Sequence, residues 1–365
     1  MTTSLKSIYS SDYVERLGGT LSKLAPFISP ADFRSAVYQE DWEQLEFKQR
    51  VTRIAEAMHH VLPDEYLEAL EILDQAAPSF QGLEGLAFPE FAARFGQEHR
   101  ERSLQALETY TRYSTSEFAI RSFLKNDLTG TLAQMAVWTK SPNEHVRRLA
   151  SEGSRPRLPW GAGVPALKTD PELTLPLLEE LALDASLYVQ KSVANHLNDI
   201  SKTHPDLFIE TVTRWNDTGG RTSWIVKHAS RSLLKKGDPR ILGLFGFYPG
   251  STEVSELMIA PLTPAIGDSA EFSFLVSATA HTKIRVEFAV DYVKSSGRRS
   301  RKVFHVTETQ MPADTQRPFI KTLSFRQLTT RVHYPGRHTL AILINGEEKQ
   351  AVDFELTDRE KEPLP

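Results

Sequence analysis

A short turn-rich stretch combines the residue types needed for chemistry on a nucleic acid. It follows a charged helical segment and reads Ser151-Glu152-Gly153-Ser154-Arg155-Pro156-Arg157-Leu158-Pro159-Trp160-Gly161. Guanidinium groups bind phosphates, a carboxylate stabilises positive charge, and an indole covers apolar or cationic rings. We therefore take Glu152 as a candidate catalytic carboxylate and Trp160 as a candidate substrate-contacting residue.

Composition limits the classes of protein to which the chain can belong. Its 365 residues exceed what one ordinary core covers, so about two domains are expected. The formal charge of -4 excludes a protein that is basic all over, and any nucleic-acid contact must come from a local patch. The absence of cysteine excludes disulfides, a thiol nucleophile and thiolate metal sites, which fits a reducing cytosol.

Several kinds of segment and site are missing from the sequence. The N-terminus does not read as an apolar signal segment, and no long apolar run occurs, so we expect a soluble, cytoplasmic protein. No phosphate-binding loop of the GxxxxGK[ST] type, no HExxH zinc helix and no GxSxG motif is present. The histidines lack ligand spacing. We predict no metal and no cofactor.

Residues 1–245 are predicted to form one helical domain. Apolar residues recur at helical spacing, and proline preceded by Ser, Thr or Asp marks many helix starts. Three segments resemble one another around Val146, Val189 and Val226, at steps of 43 and 37 residues. This spacing is typical of HEAT or armadillo helix pairs, although any amphipathic helix can carry such a pattern. We predict an all-α HEAT-like repeat solenoid.

One face of the repeated helices carries polar side chains, because a helix turns once in about 3.6 residues. In a solenoid the second helix of each pair lines the concave surface, so these faces would form one groove. We expect this groove to be basic with carboxylates inside it, its residues being Arg148, Glu152, Arg155, Lys191, Asn195, Asn198, Asp199, His228, Arg231 and Lys235.

The acids of this groove need an explanation, because carboxylates repel phosphates unless something cationic must be stabilised. We interpret Glu152 and Asp199 as catalytic. The alternative is that they are salt-bridge partners of Arg148 and Lys191 on solvated helices. Glu117, in the segment Thr115–Phe123, is a third candidate, and its alternative is an ordinary acid at a helix start.

Residues 246–365 are predicted to form a small all-β domain. Alternating β-branched and aromatic runs are separated by turn residues, and Asn345-Gly346 reads as a tight hairpin. About seven short strands in this length suggest an immunoglobulin-like β-sandwich.

The β domain is also locally basic. The segment from Lys283 to Arg337 contains twelve basic residues and four acidic residues. We predict that a basic interstrand loop follows a DNA backbone, although such a loop can also serve solubility alone. The loop residues are Arg298, Arg299, Arg301 and Lys302.

Four motifs resemble the AlkC branch of the AlkC/AlkD alkylpurine DNA glycosylases, which are built of HEAT-like repeats. They are Ser116-Glu117-Phe118-Ala119-Ile120-Arg121, the stretch from Ala150 to Gly161, Val193-Ala194-Asn195-His196-Leu197-Asn198-Asp199-Ile200 and Trp224-Ile225-Val226-Lys227-His228-Ala229-Ser230-Arg231. The resemblance extends over most of residues 1–245. Some AlkC-type proteins also carry an immunoglobulin-like C-terminal domain, which residues 246–365 resemble.

The resemblance implies that the protein hydrolyses the N-glycosidic bond of cationic N-alkylated bases, especially 3-methyladenine and 3-methylcytosine, in duplex DNA. Glu152 and Asp199, with Glu117 third, would stabilise an oxocarbenium-like sugar or position water. Trp160 and Trp224 would pack on the deoxyribose or base. The family can work without a deep base pocket, which suits an open groove. Phosphates would be held by Arg148, Arg155, Arg157, Lys191, Lys227 and Arg231.

Two other functions remain open from the sequence. One is a non-catalytic HEAT-type scaffold for damaged DNA or a protein partner, and the other is an architectural binder of bent duplex. The acids in a basic groove favour the enzyme over the scaffold, and a glycosylase assay on methylated DNA would separate all three functions. No obligatory protein partner is predicted.

Overall fold

The fold is known from a computed structural model that describes residues 5–216, 221–328 and 331–358. In these ranges, sixteen α-helices and several short 3-10 helices precede seven strands. The helices are α1 Ser11–Leu24, α2 Pro30–Val37, α3 Phe47–Val61, α4 Tyr66–Ala76, α5 Ala87–Phe95, α6 Arg100–Tyr110, α7 Ile120–Asn126, α8 Leu128–Trp138, α9 Glu144–Gly153, α10 Pro165–Thr169, α11 Leu175–Leu181, α12 Leu187–Ile200, α13 Pro205–Asn216, α14 Arg221–Ala229, α15 Arg231–Lys236 and α16 Pro239–Leu244. The strands are β1 Thr252–Ala260, β2 Ser269–Ala278, β3 Thr282–Val293, β4 Arg299–Met311, β5 Thr315–Ser324, β6 Gly336–Ile344 and β7 Glu347–Leu356.

The chain divides into two compact units, of which the first ends at Ala229 and the second begins at Ser230. The sequence-based boundary at residue 245 follows the change from helical to strand periodicity. The packing boundary lies earlier, because the short helices α15 and α16 belong to the unit that contains the strands. None of the helices in the described ranges combines the length and apolar character needed to cross a bilayer.

The turn signals of the sequence become helix caps. The Ser29 side chain accepts a hydrogen bond from the Asp32 amide at the start of α2, where Pro30 is the first residue. Asn143 caps α9 by accepting from the His145 amide. Such caps satisfy amides that have no partner within the helix, and they fix where α9 begins.

The three similar segments form helices α9, α12 and α14, and α12 packs against both of the others. Val146, Val189 and Val226 are all buried. The repeat therefore buries the same face of each successive helix, as in a stack of helix pairs. The predicted HEAT-like helical architecture is confirmed.

The β unit is a two-sheet sandwich, as predicted. One antiparallel sheet has the order β1-β2-β5, and the other has the order β4-β3-β6-β7. Alternate residues such as Phe272, Phe274 and Val276 point into the core between the sheets. Asn345 and Gly346 both have positive φ, which is the geometry of the predicted tight hairpin between β6 and β7.

A glycine at the end of α9 allows close packing of α9 against α7. A Cβ on Gly153 would lie 2.6 Å from Cγ2 of Ile120. We expect Gly153→Ala to lower the free energy of unfolding by about 1–3 kcal/mol, because a packed core tolerates extra volume poorly. Urea unfolding followed by circular dichroism measures this. The matched control is Gly163→Ala, where a Cβ meets nothing within 4 Å, and equal losses in both variants would contradict the packing argument.

Candidate active site

The three candidate carboxylates converge through two arginines. Glu117 lies in the turn before α7, whereas Glu152 and Asp199 lie in the last turns of α9 and α12. Arg148 Nη2 is 2.8 Å from Glu117 Oε2 and 3.8 Å from Glu152 Oε1. Arg155 Nη1 is 2.6 Å from Glu152 Oε1, and its Nε is 2.9 Å from Asp199 Oδ2. We call these five residues the carboxylate–arginine cluster.

Further polar groups bind the three carboxylates of the carboxylate–arginine cluster. Ser192 Oγ donates to Glu152 Oε2 at 2.6 Å, and Lys202 Nζ lies 3.2 Å from Asp199 Oδ1. Thr115 Oγ1 donates to Glu117 Oε2 at 2.8 Å. The exposed fraction of the side chain is 12% for Glu117, 8% for Glu152 and 2% for Asp199. Glu117 is thus the most accessible of the three acids.

The positions of two of these acids are electrostatically unfavourable without the arginines. Glu152 and Asp199 lie at helix C-termini, where the partial negative charge of the helix dipole opposes a carboxylate. Arg155 follows the end of α9 and binds both acids. Buried charges persist only when they are paired and hydrogen-bonded, so the arginines make this convergence possible.

The arginines of the cluster stay charged. Burial lowers the pKa of Arg148, but the opposite effect of Glu117 and Glu152 is larger, so the pKa lies above its usual value. The same holds for Arg155, whose pKa is raised overall because Glu152 and Asp199 outweigh its burial. The cluster is therefore a fixed alternation of opposite charges.

The expected phosphate-binding role of Arg148 and Arg155 needs correction. Their side chains are only 16% and 9% exposed, and their guanidinium groups bind carboxylates instead. The alternative interpretation is a Glu152–Arg148 salt bridge on a solvated helix. The two side chains do form an ion pair, with Nη2 and Oε1 3.8 Å apart, but the pair lies within a buried cluster. Asp199 pairs with Arg155 and Lys202 instead of Lys191.

The other cations predicted to bind phosphates occupy more open positions. Arg157, in the turn after α9, and Lys191, on α12, are exposed. Lys227, on α14, is exposed as well. Arg231 is half-buried and belongs to the second compact unit.

Trp160 is presented to solvent by a constrained turn. Its side chain is 61% exposed, and its φ of 62° lies in the left-handed region that non-glycine residues rarely adopt. Lys48 Nζ donates to the Trp160 carbonyl, and the Phe47 ring lies 6.3 Å from the indole. Trp224 is placed elsewhere, on α14, where it stacks on His228 at 4.9 Å.

A cavity of about 540 Å³ lies beside Trp160, and sequence reasoning missed it because its walls come from distant segments. Phe47 and Thr52 from α3, Glu90 from α5, and Phe118 from the turn before α7 are among its lining residues. Phe118 follows Glu117, so the cavity adjoins the chain segment that carries the most accessible acid. The expectation of an open groove did not include such a pocket.

A buried arginine outside the predicted set secures the Trp160 turn. Arg121 is 1% exposed, and its Nη1 donates to the carbonyls of Gly153 and Arg155 at 2.8 and 2.9 Å. Its Nε donates to the Ala162 carbonyl. Burial and nearby Arg155 lower its pKa to about 10. Arg121 thus ties the end of α9 to both sides of the turn, and its place in the Ser116–Arg121 motif was the only sequence signal for it.

Comparison with known proteins identifies the family to which this chain belongs. The family model described as DNA alkylation repair enzyme matches residues 43–233, more than half of the chain. The chain belongs to the DNA alkylation repair enzyme family. A second model, the C-terminal Ig-like domain of the uncharacterised protein YhaZ, matches residues 253–358.

Two similar proteins extend this assignment over nearly the whole chain. YhaZ of Bacillus subtilis (strain 168) is 47% identical over 96% of this chain and 99% of its own length. The structure of the Pseudomonas fluorescens alkylpurine DNA glycosylase AlkC, bound to DNA containing an abasic site analog, matches with a TM-score of 0.93 and 38% identity, over 97% of this chain and 99% of that one. The resemblance to the AlkC branch is confirmed.

The basic segment of this alkylation repair protein's β unit differs from its predicted form. Only Arg298 lies in the turn between β3 and β4, whereas Arg299, Arg301 and Lys302 belong to β4 itself. Arg299 donates to Thr339 Oγ1, and Arg301 pairs with Asp291 and Glu348. Because β4 begins directly after Gly297-Arg298, most of this segment is strand and not a loop.

A buried histidine supports the carboxylate–arginine cluster in this family member. His196 on α12 is fully buried, and its Nδ1 donates to the Ser151 carbonyl at 2.9 Å. Its Nε2 lies 3.1 Å from Thr174 Oγ1. Burial, followed by the nearby Arg155 charge, lowers its pKa to about 3 despite the Ser151 bond. Within the described ranges no group of three His, Asp or Glu residues could hold a metal ion.

We expect His196 to make stability depend on pH. The folded protein keeps the ring neutral down to about pH 3, whereas the unfolded chain takes up a proton near its ordinary pKa of 6.5. The contribution of His196 to the free energy of unfolding is complete above the pKa of the unfolded chain. Below that pKa the free energy of unfolding decreases by up to about 1.4 kcal/mol for each pH unit. Urea unfolding between about pH 7 and pH 5 measures the slope.

The variant His196→Gln should reduce that slope, because an amide does not titrate. His60→Gln, at an exposed position near the end of α3, is the matched control and should keep the wild-type slope. A slope unchanged in His196→Gln would contradict the assignment of a neutral buried imidazole.

Proposed function

We propose that the protein is a DNA glycosylase that hydrolyses the N-glycosidic bond of cationic N-alkylated bases, such as 3-methylcytosine and 3-methyladenine, in duplex DNA. The observation that carries this proposal is the convergence of Glu117, Glu152 and Asp199 in one buried cluster. Membership of the DNA alkylation repair family and the likeness to AlkC over 97% of the chain support it.

The chemistry of a cationic base explains why negative charge is the main requirement. When the bond between C1′ and the base nitrogen breaks, its electron pair neutralises the positively charged base, which is already a good leaving group. Positive charge then develops on the sugar, and carboxylates held in place stabilise it. Water adds to C1′ and loses a proton to a carboxylate, which completes hydrolysis.

Glu117 is the acid that we assign to the water. Thr115 donates a hydrogen bond to Oε2, Arg148 forms its ion pair with the same oxygen, and no hydrogen bond in the described part of the chain uses Oε1. Glu152 and Asp199 are more completely bonded and more deeply buried. They would supply the fixed negative potential behind Glu117, so the order of roles differs from the one that sequence suggested.

The arginines of the cluster would act on the acids rather than on DNA. Three carboxylates repel one another, and Arg148 and Arg155 hold them together while leaving a net negative charge on the five residues. Trp160 would pack on the deoxyribose or the cationic base. Phosphates near the lesion would be held by the exposed cations Arg157, Lys191 and Lys227.

We expect Glu117→Gln to lower the excision rate of 3-methylcytosine by about 100-fold or more, because it removes a preorganised negative charge. The amide oxygen can still accept from Arg148, so the fold should persist. Single-turnover excision with enzyme in excess measures the rate, and thermal unfolding checks the fold. The matched control is Glu144→Gln, which removes a charge from the first turn of α9 outside the cluster.

Glu152→Gln and Asp199→Asn should lose excision too, but with a loss of stability of roughly 3 kcal/mol, because each breaks a buried ion pair. Their rates are therefore compared only at temperatures where circular dichroism shows a folded protein. Wild-type rates in all three acid variants would leave DNA binding without catalysis as the function.

Selectivity should follow the charge of the leaving base. We expect duplexes with 3-methylcytosine to be cut much faster than duplexes with uracil, because a neutral base needs protonation by a well-placed acid. Single-turnover assays on otherwise identical duplexes compare 3-methylcytosine, 7-methylguanine and uracil. Comparable rates on uracil and 3-methylcytosine would indicate an enzyme that reads bases in a pocket.

A further inference from the structure

The β unit contains a second cavity, of about 400 Å³, whose walls carry positive charge. It lies where β3 ends and β4 begins, and the segment after Arg331 forms another wall. Its cations include Lys294, Lys302 and Arg331, and Tyr292 and His333 add buried polar groups. Among the described residues that line it, none is an acid.

Three cations of this cavity differ from their neighbour Arg301 in their ion pairing. Among the described residues, no ion pair involves Lys294, Lys302 or Arg331. Neighbouring Arg301 differs, since it pairs with Asp291 and Glu348. We call Lys294, Lys302 and Arg331 the β-unit cation triad.

Two members of the triad lie over one aromatic ring. Lys302 Nζ is 5.4 Å and the Arg331 guanidinium is 5.6 Å from the centre of the Phe304 ring. Phe304 stacks in turn on Phe288 at 4.8 Å. The negative face of the ring offsets part of the repulsion between the two cations, and the stack fixes where their charges lie.

Two buried side chains of the cavity, His333 and Tyr292, have unused hydrogen-bonding capacity among the described residues. His333 is 4% exposed and Tyr292 is 5% exposed, and both line the cavity. Within residues 5–216, 221–328 and 331–358, neither ring nitrogen of His333 has a hydrogen-bond partner, and the Tyr292 hydroxyl has none either. A buried polar group without a partner costs about 1–3 kcal/mol, so these groups favour a ligand that can accept hydrogen bonds.

The electrostatics of the site agree with this geometry. Burial lowers the pKa of Lys302, and the charges of Arg331, Lys235 and Lys294 lower it further. Burial also lowers the pKa of His333, followed by the effect of the three triad cations. Groups that push each other toward neutral forms create a positive potential, which a bound anion would relieve.

We propose that this cavity binds a phosphodiester group of the DNA backbone, with the β-unit cation triad around the phosphate oxygens and His333 donating a hydrogen bond. The choice of DNA as the source of the anion rests on the proposed function. In this proposal the main DNA contact of the β unit is the triad and not Arg299 and Arg301. The side chain of Arg299 already binds Thr339, and that of Arg301 pairs with Asp291 and Glu348.

The test replaces the triad in the full-length protein by Lys294→Gln, Lys302→Gln and Arg331→Gln together. The control replaces three exposed cations on and after β5 in the other sheet, by Arg317→Gln, Lys321→Gln and Arg326→Gln. Both proteins lose the same net charge. Affinity for an undamaged duplex is measured by fluorescence anisotropy over a range of salt concentrations.

We expect the triad variant to bind at least about tenfold more weakly, because the phosphate is no longer neutralised. The slope of its log affinity against log salt should be shallower by about 0.9 for each phosphate that the variant no longer binds. The control variant should keep the wild-type slope. His333→Phe keeps the ring packing and should weaken binding several-fold without changing the slope, because a neutral donor releases no counterion.

Stability separates a binding site from a structural one. The triad variant should unfold at a temperature close to that of the wild type, because the relief of mutual repulsion offsets the loss of the two cation–π contacts with Phe304. A wild-type slope in the triad variant, or equal losses in triad and control variants, would overturn the proposal. Excision by the wild-type protein is measured separately, so a failure to cut DNA would count against the proposed function and not against this site.

Discussion

The alternation of charge from Glu117 through Arg148, Glu152 and Arg155 to Asp199 is the constraint on which the helical unit depends. Three carboxylates cannot share a poorly solvated space unless cations separate them. The cations come from α9 and the turn after it, whereas the acids come from three different segments. The ion pairs therefore fix the positions of α9, α12 and the turn before α7 relative to one another.

The backbone reinforces this arrangement at the point where the side chains need it. Arg121 binds the carbonyls at the end of α9 and in the following turn, so the loop that carries Trp160 starts from a fixed position. Ser192 and His196 attach α12 to Glu152 and to the Ser151 carbonyl. Electrostatic stabilisation of a transition state requires charges that do not reorganise during the reaction, and these bonds would provide that rigidity in the proposed mechanism.

Local sequence signals were sufficient for most of the fold. Strand alternation, the Asn345-Gly346 turn and the caps of α2 and α9 depend on neighbouring residues, which sequence displays directly. The ion pairs of Arg148 and Arg155 depend on acids from segments that are distant in sequence. A cation on a polar face therefore looks the same in the sequence whether its side chain is solvated or pairs with an acid such as Asp199. The cavity beside Trp160 was hidden for the same reason, because α3, α5 and the Trp160 turn are distant in sequence.

The two units use cations in opposite ways, and this contrast bears on how each could contribute to recognition. In the helical unit Arg148 and Arg155 are matched by carboxylates, so their charge is neutralised inside the protein and holds negative groups in place. In the β unit Lys294, Lys302 and Arg331 have no carboxylate partner in the described structure, so their field reaches the cavity that they line. A protein with a net charge of -4 cannot attract DNA by its overall field. Under the proposed function, unneutralised cations concentrated at a pocket would provide that attraction locally, and they would leave the proposed site of bond cleavage free to be negative.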